Sequence, residues 1–134
     1  MIQLLVVDDD DINIFLLKHL LRKSTHPVEV VSFTNPDDAL QYISGCVEEG
    51  RKIDVMLLDI NMPQMSGWDL LHELRVEGIS QIQGTLVYML SSSVHASDNE
   101  KADQFPEISG FISKPITPEF LSEIFDTIKA VKKG

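Results

Sequence analysis

Acidic side chains stand where two apolar segments of the chain end. The segment 2–7 is followed by four consecutive aspartates, Asp8 to Asp11, and the run Val55–Leu58 is followed by Asp59. Carboxylates held close together repel one another and raise one another's pKa values. A hard divalent cation relieves that repulsion, and Mg²⁺ typically takes one or two carboxylates together with phosphate oxygens. If the fold brings the two segment ends together, these residues predict a magnesium site that handles phosphate.

Further polar groups follow two later apolar segments. Ser91 to Ser93 come after the fourth segment, and Lys114 comes after the fifth. A serine hydroxyl can donate a hydrogen bond to a phosphate oxygen, and a lysine supplies positive charge opposite the carboxylates. An aspartate in such surroundings can attack phosphorus while the cation and the lysine stabilise the transferring oxygens. Together these are the parts of an aspartyl-phosphate site.

The elements that must position these residues alternate along the chain. Apolar segments predict five strands, at 2–7, 28–33, 53–58, 85–90 and 110–113. Amphipathic segments predict five helices, beginning at Asp11, after Thr34-Asn35, at Ser66, at His95 and after Thr117. Strict alternation of strands and helices predicts an α/β fold, a parallel sheet covered by helices on both faces. The chain has no linker or repeat, so residues 1–134 are interpreted as a single domain.

Three local patterns add detail to the predicted helices. The first helix, 11–22, places apolar or amphipathic residues at helical spacing: Ile12, Phe15, Leu16, His19 and Leu20. Ser66 to Asp69 has the pattern of a capping box. The last helix carries one apolar stripe: Phe120, Leu121, Ile124, Phe125 and Ile128. The polar stretch 45–52 is compatible either with a loop or with a lengthened second helix.

The expected sheet explains how the polar residues meet. In open α/β sheets, ligands bind outside the carboxyl ends of the strands. If the first and third strands are neighbours, their ends bring Asp8, Asp9 and Asp59 together. Ser91 and Lys114 then lie on the far side of the same cluster.

Composition limits the class of protein. The net charge of −10 argues against a nucleic-acid surface and against docking on an anionic membrane. The one cysteine, Cys46, forms no intrachain disulfide, which fits a reducing compartment. No apolar run approaches the roughly 20 residues that span a bilayer. We therefore expect a cytoplasmic protein.

Four motifs in this order resemble those of a known family. VVDDDD after the first strand, LLDINMP after the third, SS after the fourth and FISKP around the fifth are similar to the receiver domain of two-component response regulators. The resemblance covers the whole chain. It implies a flavodoxin-like, doubly wound (βα)5 fold with the strand order 2-1-3-4-5, which is the order of the family's chemotaxis member.

The resemblance also implies roles in the acidic pocket. Asp59 would accept a phosphoryl group from a histidine kinase or a histidine phosphotransfer protein. Mg²⁺ would be bound by Asp9, Asp59 and the backbone carbonyl of Asn61, with Asp8 acting mainly through a bound water. Lys114 would pair with the phosphoryl group, in a cis peptide with the proline that follows.

Other implied roles concern the switch that phosphorylation operates. Ser91 would be the hydroxyl switch and Phe111 the aromatic switch, at a position often occupied by tyrosine in relatives. Asn61 and Ser92 occupy positions that tune the lifetime of the phosphorylated state. A downstream protein would bind through helix 4, strand 5 and helix 5.

Simpler interpretations exist for several of these residues. Asp10 and Asp11 match no role in the family and suit the positive end of a helix dipole. Ser92 and Ser93 have the pattern of a helix N-cap, and Phe111 can be an ordinary core residue.

The function expected from the resemblance is that of a signalling switch. The domain would catalyse its own phosphorylation and slow dephosphorylation at Asp59, without turning over a metabolite. The alternative is a magnesium-dependent phosphohydrolase with an aspartyl nucleophile, although Asn61 stands where such enzymes usually place a second acid. A pseudo-receiver that binds partners without phosphorylation is a third possibility. We expect a stand-alone receiver without an output domain, the alternative being a piece of a longer regulator, and a monomer or a phosphorylation-linked dimer.

Overall fold

The chain folds into a five-stranded parallel sheet flanked by helices. The computed structural model describes residues 2–24, 27–76, 85–92, 96–106, 108–114 and 116–133. Within these ranges the elements are β1 (Ile2–Val7), α1 (Asp11–Arg22), β2 (Val28–Phe33), α2 (Pro36–Glu49), β3 (Val55–Asp59), α3 (Gly67–Val76), β4 (Leu86–Ser91), α4 (Ala96–Gln104), β5 (Ile108–Ser113) and α5 (Pro118–Lys133). The strand order is β2-β1-β3-β4-β5, with every neighbouring pair parallel. The predicted fold class and strand order are confirmed.

Most predicted boundaries agree with the structure to within two residues. β3 and β4 each extend one residue further than predicted, so Asp59 and Ser91 are the last residues of their strands. β5 begins two residues earlier than predicted, at Ile108. Of the two alternatives for the stretch 45–52, the lengthened helix is correct, and Gly50 ends α2 in the left-handed conformation with φ 70°. Ser93, His95 and Pro115 lie outside the described residues.

Helix caps form where the sequence placed them. Ser66 and Asp69 make the reciprocal pair of a capping box, each side chain accepting a hydrogen bond at 3.1 Å from the other's amide. Asn35 caps α2 by accepting from the amide two residues later at 2.8 Å. The Thr117 hydroxyl accepts from an amide in the first turn of α5. These caps set the direction in which each helix leaves the carboxyl edge of the sheet.

The central strands bury both of their faces. All described residues of β3 are buried, and its side chains alternate between two apolar clusters. Val55 and Leu57 face the cluster covered by α1 and α5, whereas Met56 and Leu58 face the cluster covered by α2, α3 and α4. Asp59 therefore ends a strand whose side chains are buried on both faces of the sheet.

The packing face of α1 differs from the stripe singled out by spacing. The buried residues of α1 are Ile14, Leu17 and Leu21. Three members of the singled-out stripe point to solvent, with exposures of 68% for Ile12, 64% for Phe15 and 43% for Leu16. Apolar residues surround most of this helix, so periodicity alone does not select the face. Packing against the α5 side of the sheet selects it instead.

Candidate functional site

Two neighbouring strands bring the aspartates together. β1 and β3 pair in register, with Val7 opposite Leu58, so Asp8 and Asp59 lie at adjacent strand ends. Carboxylate oxygens of Asp8, Asp9 and Asp59 all lie within 4.8 Å of one another. Asp8 and Asp59 are buried, at 1% and 3% exposure, whereas Asp9 is exposed. The position is the point at which strand order reverses, where open α/β sheets bind ligands.

Lys114 closes the pocket from the side of β5. Its Nζ lies 3.0 Å from Asp59 Oδ2 and 3.1 Å from Asp8 Oδ2. The Lys114 amide donates to the Ser91 carbonyl at 2.9 Å, which fixes the lysine backbone to the end of β4. One ammonium therefore bridges two buried carboxylates that come from different strands.

The remaining carboxylate oxygens meet backbone amides. Asp8 Oδ1 accepts from the Asp10 amide at 2.9 Å, and Asp59 Oδ1 accepts from the Asn61 amide at 3.1 Å. These bonds orient both side chains without neutralising their charge. Asp8 Oδ2 lies 3.1 Å from Lys114 Nζ and has no other polar partner among the described residues. A buried carboxylate oxygen is thus left with coordinating capacity.

Electrostatics in the pocket favour a bound cation. Burial raises the pKa of Asp59 from 3.8 to about 7, and the charge of Asp8 raises it too, while Lys114 and the Asn61 amide act in the opposite direction. Burial alone would lower the pKa of Lys114, but its contacts with Asp59 and Asp8 outweigh burial and raise it. Two carboxylates beside one lysine leave the pocket negatively charged whenever both are ionised.

The donor set fits Mg²⁺. It consists of oxygen ligands only, with two buried carboxylates, those of Asp8 and Asp59, and the exposed carboxylate of Asp9. Hard cations take such oxygens, and Mg²⁺ keeps several waters, which an exposed ligand such as Asp9 permits. The residues present could therefore hold this metal.

The open mouth of the pocket includes residues that the sequence assigned to the site and one, Ile12, that it assigned only to the apolar stripe of the first helix. Asn61 and Ser92 line it beside Asp59 and Lys114, whereas Ser91 lies buried at the end of β4 with 1% exposure. The exposed side chain of Ile12 also lines the mouth. Ile12 reaches the mouth because α1 packs through its opposite face, and no local sequence signal indicates which face packs.

The interpretation of Asp10 as a helix-terminal residue is confirmed. Asp10 is the N-cap of α1, and its Oδ1 accepts from the Ile12 amide at 2.9 Å. Asp11 is exposed in the first turn and lines the mouth of the pocket. Both carboxylates suit the positive end of the helix dipole.

Phe111 lies behind the pocket, in a half-buried position on β5. It packs against the α2–α4 cluster, and its ring meets Trp68 edge-on at 6.0 Å between centroids. The residue as a whole is half-buried, so part of its surface remains exposed to solvent. This placement is compatible with a core role and with a role as a rotating ring.

Gly67 makes a close approach that sequence inspection did not single out. An added Cβ there would lie 2.7 Å from the Asp59 carbonyl oxygen and 2.6 Å from Met89 Cε. The Gly67 amide donates to the Ile60 carbonyl at 3.1 Å. The start of α3 is therefore seated directly on the backbone of the acidic strand end.

Solved structures show the class of fold to which this chain belongs. It is similar to a two-component response regulator from Cytophaga hutchinsonii, with a TM-score of 0.85, 30% identity and 96% coverage of both chains. It is also similar to the chemotaxis protein CheY4 of Vibrio cholerae, with a TM-score of 0.72, 25% identity and coverage of 96% of this chain and 98% of that one. The fold is that of CheY-like receiver proteins.

Sequence comparison identifies the family. A model of the response regulator receiver domain matches residues 4–126, and the chain belongs to that family. The 3',5'-cyclic-nucleotide phosphodiesterase regA of Dictyostelium discoideum is 31% identical over 129 residues, and the sensory/regulatory protein RpfC of Xanthomonas campestris pv. campestris is 31% identical over 126 residues. These matches cover 95% and 94% of this chain but only 15% and 16% of those proteins.

Family membership bears on two of the three functions considered above, the signalling switch and the phosphohydrolase. Receiver domains belong to two-component signalling, so the match supports a phosphoacceptor role and not the phosphohydrolase alternative. Among the described residues, no helix is both long enough and apolar enough to cross a membrane.

Proposed function

We propose that this chain is a phosphorylation-controlled signalling domain in which Asp59 accepts a phosphoryl group from a phosphohistidine. The observation that carries the proposal is the placement of Asp59, buried at a strand end, with Lys114 Nζ at 3.0 Å and with oxygens of Asp8 and Asp9 within 4.8 Å. The donor would be a histidine kinase or a histidine phosphotransfer protein in the cytoplasm.

Each group in the pocket has a part in the transfer. A carboxylate oxygen of Asp59 attacks phosphorus, the P–N bond of the donor phosphohistidine breaks, and the imidazole leaves with the electron pair of that bond. Lys114, already in place beside Asp59 Oδ2, pairs with a phosphoryl oxygen. Mg²⁺, held by Asp8, Asp9, Asp59 and the Asn61 backbone carbonyl, would neutralise charge on the same phosphoryl group.

The pocket also suits a slow return to the starting state. Hydrolysis needs a water in line with the acyl phosphate, and Asn61 and Ser92 stand at the mouth through which that water enters. Their size and hydrogen bonding would therefore set the lifetime of the phosphorylated protein. Ser91 would sense the phosphoryl group, and Phe111 would turn inward and change the face formed by α4, β5 and α5.

The surface beside the mouth supports a protein as donor. Ile12, Phe15 and Leu16 present an exposed apolar row on α1, and Ile12 lines the pocket itself. A helix that presents its histidine to Asp59 would cover this row. Replacing Phe15 by serine should slow transfer from a phosphorylated histidine protein and leave phosphorylation by a small donor unchanged. Equal slowing with both donors would contradict this assignment.

Mass spectrometry of the intact protein tests the proposed function. The protein is incubated with Mg²⁺ and acetyl phosphate or phosphoramidate, and we expect a mass gain of one phosphoryl group. Asp59→Asn should abolish the gain. Asp54→Asn is the matched control, because Asp54 is also buried but accepts a hydrogen bond from the Gln3 amide at the opposite end of β3. No gain with either donor, or steady turnover of a phosphomonoester, would refute the proposal.

A further inference from the structure

A buried hydrogen bond joins α3 to α4 behind the acidic pocket. Trp68 Nε1 donates to Asp98 Oδ1 at 3.2 Å, and the two residues are only 3% and 6% exposed. Buried carboxylates and indole N–H groups are costly to leave without partners, so this contact has structural weight. Neither the family motifs nor the phosphorylation chemistry assigns a role to the pair.

The donor of this hydrogen bond, Trp68, lies next to a residue that contacts the backbone of Asp59. Trp68 follows Gly67, whose Cα approaches the backbone of Asp59 so closely that an added Cβ would lie 2.7 Å from the Asp59 carbonyl oxygen. The hydrogen bond from the Gly67 amide to the Ile60 carbonyl holds this approach. A shift of the Asp59 backbone is therefore passed directly to Trp68.

The acceptor, Asp98, lies on α4, a helix that buries few apolar side chains among its described residues. Among residues 98–104 of α4, the one buried residue is Asp98; Ala102 is half-buried, and the other five are exposed. Helices in proteins are stabilised mainly by burying an apolar face, and this stretch has almost none. The hydrogen bond from Trp68 to Asp98 is therefore one of the polar contacts that hold α4 against α3, beside the one from Arg75 to the Gln104 carbonyl.

Aromatic contacts extend the same connection. The Trp68 ring lies 5.7 Å from Phe105, which directly follows α4, and 6.0 Å from Phe111 on β5. Arg75, at the other end of α3, donates to the Gln104 carbonyl at 2.7 Å and stacks over the Phe105 ring at 4.3 Å. The position of Trp68 therefore depends on both α4 and β5.

We propose that the hydrogen bond between Trp68 and Asp98 is a latch that couples the state of Asp59 to the position of α4. The latch holds α4 against α3 in the unphosphorylated protein. Phosphorylation of Asp59 shifts the Gly67 backbone and lengthens or breaks the bond. The second half of the inference rests on the proposed function, whereas the hold on α4 does not.

Amide hydrogen exchange of the unphosphorylated protein tests whether the bond between Trp68 and Asp98 holds α4 against α3. Trp68→Phe keeps an aromatic ring beside Phe105 and Phe111 but removes the N–H donor, and Asp98→Ala removes the acceptor. Either change should speed exchange of the α4 amides at least about tenfold, the lower end of the effect of losing a buried hydrogen bond to a carboxylate. Asp98→Asn keeps an acceptor oxygen and should restore much of the protection.

A control variant and a double variant distinguish the loss of this hydrogen bond from a general loss of packing. Tyr42→Phe removes a polar atom from an aromatic residue on α2, on the same face of the sheet, and should leave α4 exchange unchanged. The double variant Trp68→Phe/Asp98→Ala should exchange no faster than Asp98→Ala alone, because Asp98→Ala already removes the bond that Trp68→Phe removes. Unchanged exchange of the α4 amides in Trp68→Phe would refute the proposed latch. So would a double variant in which the effects of the two single substitutions add.

The link to Asp59 is read from the indole N–H signal of the protein's single tryptophan. Phosphorylation in Mg²⁺ and acetyl phosphate, verified by intact mass in the same sample, should move this resonance in a ¹H–¹⁵N spectrum. In Asp98→Ala the movement should be reduced at least severalfold. An unmoved signal in phosphorylated wild type, or an equal movement in Asp98→Ala, would refute the link. Absence of phosphorylation in wild type would instead refute the proposed function and the link with it, while hydrogen exchange still decides the hold on α4.

Discussion

Replacing Asp59 by asparagine should stabilise the metal-free domain, and the gain should increase with pH. Burial raises the pKa of Asp59 from 3.8 to about 7. Between these values the folded protein keeps a proton on Asp59 that the unfolded chain has already released. Folding stability therefore falls as pH rises from about 4 to about 7, and the loss is complete above about 7. Asparagine cannot ionise, so the variant escapes this loss.

The structure sets the size of the effect. A shift of about 3 pKa units corresponds to about 4 kcal/mol at about 1.4 kcal/mol per unit, and this is the upper limit. The Asp59 side chain is only 4% exposed, so screening by solvent reduces the figure little. Asparagine also keeps an oxygen that can accept from the Asn61 amide. We expect a gain of about 2–4 kcal/mol near pH 8 and almost none near pH 4.

Urea unfolding in EDTA across this pH range measures the effect. Wild type, Asp59→Asn and the control Asp54→Asn are compared at each pH, and Mg²⁺ is then added at the highest pH. Mg²⁺ should stabilise wild type more than Asp59→Asn and so narrow the difference. A gain that is independent of pH, or one that grows toward acid, would show that burial of an ionised Asp59 is not its cause.

Three further changes separate the pocket from the rest of the fold. Lys114→Met leaves Asp8 and Asp59 without their shared cation, so it should cost about 2–4 kcal/mol in urea unfolding at pH 8 in EDTA and slow phosphorylation by acetyl phosphate; unaltered stability would contradict the ion-pair assignment. Gly67→Ala should cost about 1–3 kcal/mol because its Cβ meets the Asp59 backbone, whereas Gly45→Ala, with open space around it in α2, should stabilise by about 0.5–1 kcal/mol; the same sign for both would refute the steric argument. Asn35→Ala removes the N-cap of α2 and should cost about 1 kcal/mol in thermal or urea unfolding, with phosphorylation unchanged; a slower reaction would mean that α2 contributes to the site.

Much of the fold could be predicted because its signals are local. The buried run of β3, the capping box at Ser66 and the proline-led start of α2 each lie within a few consecutive residues. Once strands and helices alternate, a parallel sheet follows, and polar residues at the carboxyl ends of its strands lie along one edge. The strand order that places β1 beside β3 was expected from the resemblance to receiver domains. The gathering of Asp8, Asp59 and Lys114 is a consequence of that topology.

Other features could not be predicted because they depend on partners distant in the sequence. The face of α1 is chosen by packing against the sheet and leaves Ile12 and Phe15 in solvent beside the pocket. The hydrogen bond from Trp68 to Asp98 spans 30 positions and has no local motif. Trp68 lies within the capping box Ser66 to Asp69, and that local pattern gives no information on what its indole N–H meets.

The sequence by itself determined the order of elements, their caps and the residue types at the strand ends, since propensity and periodicity act over a few neighbouring residues. Only the tertiary structure decided that Asp8 and Asp59 are buried together under one lysine and that burial moves the pKa of Asp59 to about 7. It also decided that Gly67 brings the start of α3 against the backbone of Asp59. Desolvation and close approach arise when strands and helices pack, because residues far apart in the sequence then exclude water from one another.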